Sequence, residues 1–174
     1  MRKLLLAALL AASFSAHASE WSYSKSQKDK MTGNIVEQIE LASDTEVYSP
    51  QLRFGQFPKV SLYHVIANDD AKKVGGISVA LTTGLLEYKD CYRTCTIIAK
   101  FDNVPYLTLE MLNFQAGSLY ITDGSDSRKF VDLLKSSKKL TIRVGFKNAQ
   151  YGHYDLEFTI PPMGVEGRGW DAKR

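Results

Sequence analysis

The sequence has few of the residue types on which most enzymes and cofactor-binding proteins depend. Its 174 residues include 3 histidines and 2 cysteines, and no H-x-x-x-H pair, G-x-S-x-G motif or glycine-rich phosphate loop occurs. Catalysis and metal binding normally need activated or ligating groups in a favourable arrangement. The sequence therefore predicts no catalytic residues, no metal site and no cofactor.

An excess of charge of one sign is also lacking. The chain has 22 basic and 19 acidic residues, and removal of residues 1–18 would take away Arg2 and Lys3, leaving 20 basic residues against 19 acidic ones. A nearly neutral chain has no long-range field to attract nucleic acid. After residue 18, no apolar run approaches the ~20 residues that a membrane helix needs. We therefore expect no nucleic-acid partner and no transmembrane segment in the mature chain.

The N-terminus carries the one pattern with a clear meaning. Arg2 and Lys3 give a positive start, residues 4–14 are apolar but too few to span a bilayer, and Ala16-His17-Ala18 has the small-x-small form of a cleavage site. This pattern predicts a signal peptide at residues 1–18 and a mature chain that begins at Ser19. The protein is then periplasmic or secreted.

The two cysteines, Cys91 and Cys95, are separated by three residues. In an oxidising compartment we expect them to form a disulfide that fixes one tight connection, with a modest stabilisation of about 2 kcal/mol because the ring is small. The alternative is a redox pair, which usually takes the form C-x-x-C at the start of a helix. The spacing and the strand-like neighbours favour the structural interpretation.

Alternating apolar and polar residues predict an antiparallel hairpin near the C-terminus. Apolar residues occupy every second position over 140–146 and again over 154–160, and Gly152 lies in the connection between them. Shorter runs of the same kind lie at 21–25, 35–42, 60–67, 77–81, 85–88, 95–101, 106–114 and 119–122. The sequence therefore predicts a mainly β protein, an antiparallel β-sandwich over residues 19–162, followed by a flexible tail at 163–174. In this interpretation, the segments on either side of the cysteines form a hairpin.

One segment predicts a short helix of about ten residues that lies on the sheet. Its apolar positions 130, 131, 133 and 134 have helical spacing, and Asp126 or Ser127 is a suitable N-cap. The preceding Asp123-Gly124-Ser125-Asp126 could hold calcium, but it lacks the alternating acidic loop of a calcium motif. Turn formation and helix capping are the favoured interpretation.

Tyrosines are the best candidates for a binding surface. A tyrosine stripe on an exposed sheet can bind sugar or protein, although the same residues can simply pack the sheet. The candidate binding residues on predicted strands or their ends are Tyr23, Tyr63, Tyr106, Tyr120 and Tyr151.

Several segments together resemble a known group of proteins. They are Trp21-Ser22-Tyr23, Asp29-Lys30-Met31-Thr32, the run from Cys91 to Cys95, residues 101–105 and the final hairpin. They resemble small exported bacterial β-proteins of largely uncharacterised function, including periplasmic accessory proteins of type VI secretion systems. The resemblance implies a periplasmic β-sandwich without catalytic residues. The chain lacks the L-x-L-R-C segment expected of the secretion-associated members.

These observations favour an exported, non-enzymatic binding protein that acts on a protein or a cell-envelope component. An inhibitor, an immunity protein or a secretion-accessory factor would be concrete forms. One alternative is an enzyme acting on envelope polysaccharide or peptidoglycan, with carboxylates such as Asp69 and Asp70 or Asp123 and Asp126 brought together by folding. Another is an envelope or phage-exclusion component.

Overall fold

The computed structural model describes residues 20–27, 30–31, 33–66, 74–102, 104–115 and 117–163. These residues form eleven strands and one helix: β1 (Trp21–Lys25), β2 (Ile35–Ala42), β3 (Val47–Ser49), β4 (Phe54–Gln56), β5 (Lys59–Ile66), β6 (Val74–Thr82), β7 (Thr94–Phe101), β8 (Leu107–Gln115), β9 (Ser118–Ile121), α1 (Gly124–Ser136), β10 (Lys139–Gly145) and β11 (His153–Thr159). The predicted signal peptide, Ser19 and positions 164–174 of the predicted tail lie outside the described residues.

Nine of the strands form one antiparallel sheet, in the order β1-β2-β5-β6-β9-β8-β7-β10-β11. Strands β3 and β4 form a separate two-stranded hairpin. The predicted mainly β, antiparallel fold with one helix is confirmed. The predicted hairpin around the cysteines is wrong, because β7 pairs with β8 and β10, and Tyr88 makes only an isolated bridge to Phe146.

The nine-stranded sheet curls until its two ends approach each other. The indole Nε1 of Trp21, on the first strand, donates to the carbonyl of Pro161, just after the last strand, at 2.9 Å. The backbone N–H of Asp44, which follows β2, donates to the carbonyl of Glu157 on β11 at 2.7 Å. The strand ladder does not close, but these contacts bring the two ends of the sheet together around one core. The fold is thus a single curled sheet.

The final hairpin confirms the alternation read from the sequence. Leu140 pairs with Phe158 and Ile142 with Leu156, and all four side chains are buried in the core. Strand β10 ends at Gly145, one residue before the predicted boundary. The inward-facing residues of the other strands join the same cluster, so the described residues share one hydrophobic core.

The helix lies across one end of the curled sheet. The ring of Phe130 packs edge-on against Phe101 of β7, with 5.2 Å between ring centroids. The N-cap is Asp123, whose Oδ1 accepts from the N–H groups of Ser125 at 2.6 Å and Asp126 at 3.1 Å. The predicted caps at Asp126 and Ser127 are therefore wrong, because the N-cap lies three residues before Asp126, and at 13 residues the helix is longer than predicted.

The connections at the opposite end of the sheet define the loop end of the molecule. They are residues 43–58, which contain β3 and β4, residues 83–93 and residues 146–152. The predicted disulfide between Cys91 and Cys95 is present here, with 4.9 Å between the two Cα atoms. Asn113 of β8 donates its Nδ2 to the carbonyl of Cys91 at 2.9 Å, so the cysteine loop is fixed to the sheet.

Candidate functional site

The structure places the five candidate tyrosines in four different regions. Tyr63 on β5 and Tyr120 on β9 lie together on the outer face of the sheet, with ring centroids 6.1 Å apart. Tyr106 precedes β8 on the outer face of another part of the sheet, and Tyr151 lies in the loop between β10 and β11. Tyr23 lies on the inward-facing side of β1. The candidates therefore do not form one stripe.

The Tyr63–Tyr120 pair is partly packed. Ala80 of β6 lies directly opposite Tyr120 in the ladder and is fully buried although it faces outward. Burial, together with the neighbouring Tyr120, raises the pKa of Tyr63 above its ordinary value. The two rings thus cover part of the sheet surface and offer only a small accessible area.

A polar cluster at the helix end of the inner face was not foreseen. The Oε1 atom of Glu37 lies 3.1 Å from Lys25 Nζ and accepts a hydrogen bond from Tyr23 Oη at 3.1 Å. The Oε2 atom lies 3.6 Å from His64 Nδ1. The signal in the sequence was a charged residue at an inward position of an otherwise apolar strand face.

The electrostatics of this cluster favour a structural role. Burial by itself raises the pKa of Glu37, but hydrogen bonds from Lys25 and Tyr23 and the charge of Lys25 outweigh it, so the pKa lies below its usual range. A general acid or base instead works best with a pKa near the working pH. Glu37 is therefore a paired carboxylate that joins β1 to β2 and β5.

The carboxylates proposed for an enzyme are placed as follows. Asp123 caps α1, and the backbone N–H of Asp126 donates one of the hydrogen bonds that the Asp123 carboxylate accepts. Asp69 and Asp70 lie outside the described residues. Across the described ranges, no group of three or more His, Cys, Asp or Glu side chains is arranged to hold a metal ion, and no helix is long and apolar enough to cross a membrane.

Hydrogen bonds fix the segments of the loop end to one another, and Asn148 is at their centre. Its Nδ2 donates to the carbonyl of Leu85 at 3.0 Å, and its Oδ1 accepts from the N–H of Glu87 at 2.9 Å. Its carbonyl accepts from Ser49 Oγ, on β3, at 2.6 Å. The Leu85 N–H also donates to Gln56 Oε1, on β4, at 3.1 Å. The three loops are therefore held in one arrangement.

These fixed loops carry exposed apolar side chains. Five large apolar residues on these loops are between 43% and 62% exposed: Tyr48, Phe54, Phe57, Leu85 and Tyr151. We call this set the loop-end patch. Exposed large apolar residues are common at interaction sites, and aromatic residues dominate the energetics of protein interfaces. The sequence analysis identified only Tyr151 of this set, because Phe54 and Phe57 lie in a segment without strand or helix periodicity.

Comparison with protein families, characterised proteins and solved structures found no match to this chain.

Proposed function

We propose that this protein is an exported, non-enzymatic binding module that recognises a protein partner through its loop-end patch. The observation that carries the proposal is the set of exposed apolar side chains on three loops that Asn148 ties together. Loops that are already ordered lose little conformational entropy when they bind. Exposed aromatic rings on such loops supply large contact areas with few rotatable bonds.

Two features support export. The first 18 residues have the pattern of a cleaved signal peptide, and Cys91 and Cys95 form a disulfide, which persists mainly in oxidising compartments. The resemblance to small exported bacterial proteins agrees with a periplasmic location. An inhibitor, an immunity protein or a secretion-accessory factor would each need such a binding surface and no catalytic residues.

The form of the patch indicates the kind of partner. Loops at one end of a sheet project outward, so they fit a concave partner surface such as a groove or an active-site cleft. Phe54 and Phe57 are the residues best suited as anchors, because each is a large apolar ring that is about half exposed. The nearly neutral charge of the chain makes apolar contact the main source of affinity.

The test is capture from a periplasmic extract by three tagged forms of the mature chain: the natural sequence, the double variant Phe54→Ser/Phe57→Ser and the control Leu112→Ser. Leu112 is an exposed apolar residue on the outer face of β8, and its side chain is 37% exposed. We expect a protein that binds the natural form and the control but not the double variant, while all three forms keep the same circular dichroism.

Two results would contradict the proposal. Capture of the same protein by the double variant would show that the patch is not the binding surface. Absence of any captured protein, together with stable association of the natural form with membranes, would favour an envelope component instead.

A further inference from the structure

A groove on the outer face of the sheet lies away from the loop-end patch. Two adjacent rows of outward-facing residues form it across β8, β7, β10 and β11, as the strand registers show. We call it the outer groove; it has a volume of about 430 Å³ and is lined by Ile98, Lys100, Tyr106, Thr108, Thr141, Arg143 and Asp155. This volume lies within the ~300–1,000 Å³ typical of small-ligand sites.

One end of the outer groove combines an aromatic ring with a positive charge. Tyr106 is 70% exposed, and Lys100 Nζ lies 5.5 Å from the centroid of its ring. Ile98, beside them on β7, is also exposed and adds apolar surface. This end offers an exposed aromatic ring with an ammonium group over one of its faces.

The other end of the outer groove is polar and carries an ion pair. Arg143 donates from Nε and from a terminal nitrogen to the two carboxylate oxygens of Asp155, at 2.7 Å and 2.8 Å. These hydrogen bonds, and the charge of Arg143, lower the pKa of Asp155, so the two charges cancel. The positive charge of Lys100 is then the surplus charge of the lining. Thr108, on β8 at the Tyr106 end, and Thr141, on β10 opposite Lys100, each add a hydroxyl group.

This distribution selects the chemistry of a ligand. A wholly apolar molecule would cover the threonine hydroxyls and the ion pair without replacing their hydrogen bonds to water, which is costly. A sugar has an apolar ring face that packs on an aromatic side chain and hydroxyl edges that bond to polar groups. Lys100 adds a preference for a negative charge, whereas Asp155 disfavours one at its own end.

We propose that the outer groove binds a short acidic saccharide. One sugar ring lies against Tyr106 with its carboxylate directed to Lys100, and a second, neutral ring reaches Thr141 and the Arg143–Asp155 pair. This site uses residues outside the loop-end patch. A test of saccharide binding here is therefore independent of the proposed protein-binding function.

The experiment is a titration of the mature chain, followed by NMR chemical shifts, with three probes. They are a glucuronate-containing disaccharide, the matching disaccharide of two neutral glucose units, and an acidic tripeptide. We expect the acidic disaccharide to bind roughly two- to fivefold more tightly than the neutral one, a ratio that corresponds to one contact with an exposed charge. The tripeptide, which lacks a ring to pack on Tyr106, should bind more weakly than either sugar.

Three variants assign the effect to residues. Tyr106→Ala should weaken the binding of both sugars by at least about tenfold, while Tyr92→Ala, the same change at a 92% exposed tyrosine of the cysteine loop, should leave it unchanged. Lys100→Met should make the acidic and neutral sugars bind equally.

Other outcomes overturn the proposal. The first is the absence of chemical-shift changes at about 10 mM sugar, a concentration at which a site with a millimolar dissociation constant would be filled. The second is tighter binding of the tripeptide than of the sugars. The third is equal binding of both sugars by the natural chain.

Discussion

Glu37 lies directly opposite His64 in the β2–β5 ladder, and its Oε2 atom is 3.6 Å from His64 Nδ1. Both residues occupy inward-facing positions, where strands of this kind normally carry apolar side chains. Lys25 and Tyr23 approach the same carboxylate from the edge strand β1. The first strand is thus attached to the sheet through a partly buried charge as well as through its backbone.

This arrangement predicts an acid-sensitive contribution to stability. The folded-state pKa of Glu37 is below its value in the unfolded chain, about 4.3. Its stabilisation is therefore present above that pH and is lost as the pH falls through the folded-state pKa. Glu37→Gln should lower the free energy of unfolding by about 1–3 kcal/mol at neutral pH, and by less as the pH falls below about 4.3. Urea unfolding at neutral pH and over a series of lower pH values checks this, and a loss that does not change with pH would contradict it.

Tyr88 predicts the opposite dependence at alkaline pH. It is buried, donates from Oη to the carbonyl of Leu81 at 2.6 Å, and burial raises its pKa far above the ordinary value. Its contribution is complete below about pH 10, the pKa in the unfolded chain, and falls as the pH rises further. Tyr88→Phe should cost about 1–2 kcal/mol at pH 7, and the cost should shrink above pH ~10. A cost that is constant up to about pH 11 would rule out the titration of Tyr88.

The disulfide gives a direct chemical prediction. The exported protein should have a mass two hydrogen atoms below that of the reduced chain, and Cys91 and Cys95 should not react with an alkylating reagent until a reductant is added. The double variant Cys91→Ala/Cys95→Ala should lose about 2 kcal/mol of stability, because the ring is small. Thiols that alkylate without reductant would show that the pair is open.

A further prediction concerns the hydrophobic core at the final hairpin. Phe158 is fully buried, so Phe158→Ala should destabilise the protein by about 3–5 kcal/mol. Thr159 is the next residue and points outward, so Thr159→Ala should change the free energy of unfolding by roughly 0.5 kcal/mol or less. Chemical denaturation of both variants measures the contrast. A change below about 1 kcal/mol at Phe158 would contradict the register of β10 and β11.

Sequence patterns predicted correctly those parts of the fold that depend on residues close together in the sequence. The hairpin of β10 and β11 is readable because each strand has one apolar and one polar side, and the disulfide because its cysteines are close in sequence. The N-cap was misplaced because Asp123 and Asp126 are chemically equivalent candidates. Only the position at which the chain leaves β9 makes Asp123 the acceptor.

The candidate sites depend on contacts that no local pattern encodes. Strand β7 pairs with the next strand, β8, and with the distant strand β10, whereas the prediction paired it with the segment before the cysteine loop. Phe54 and Phe57 are of a residue type that is usually buried. Their exposure depends on the position of the β3–β4 hairpin relative to the sheet. The outer groove is assembled from four strands, and only Tyr106 was foreseen.

Photo-crosslinking in the periplasm tests most directly whether the loop-end patch binds a protein. A photoreactive phenylalanine analogue is placed at position 57 in one form of the protein and at position 112, on the outer face of β8, in a second form. We expect position 57 to crosslink to one discrete protein and position 112 to give no such product. A crosslinked protein at position 112 and none at position 57 would contradict the account.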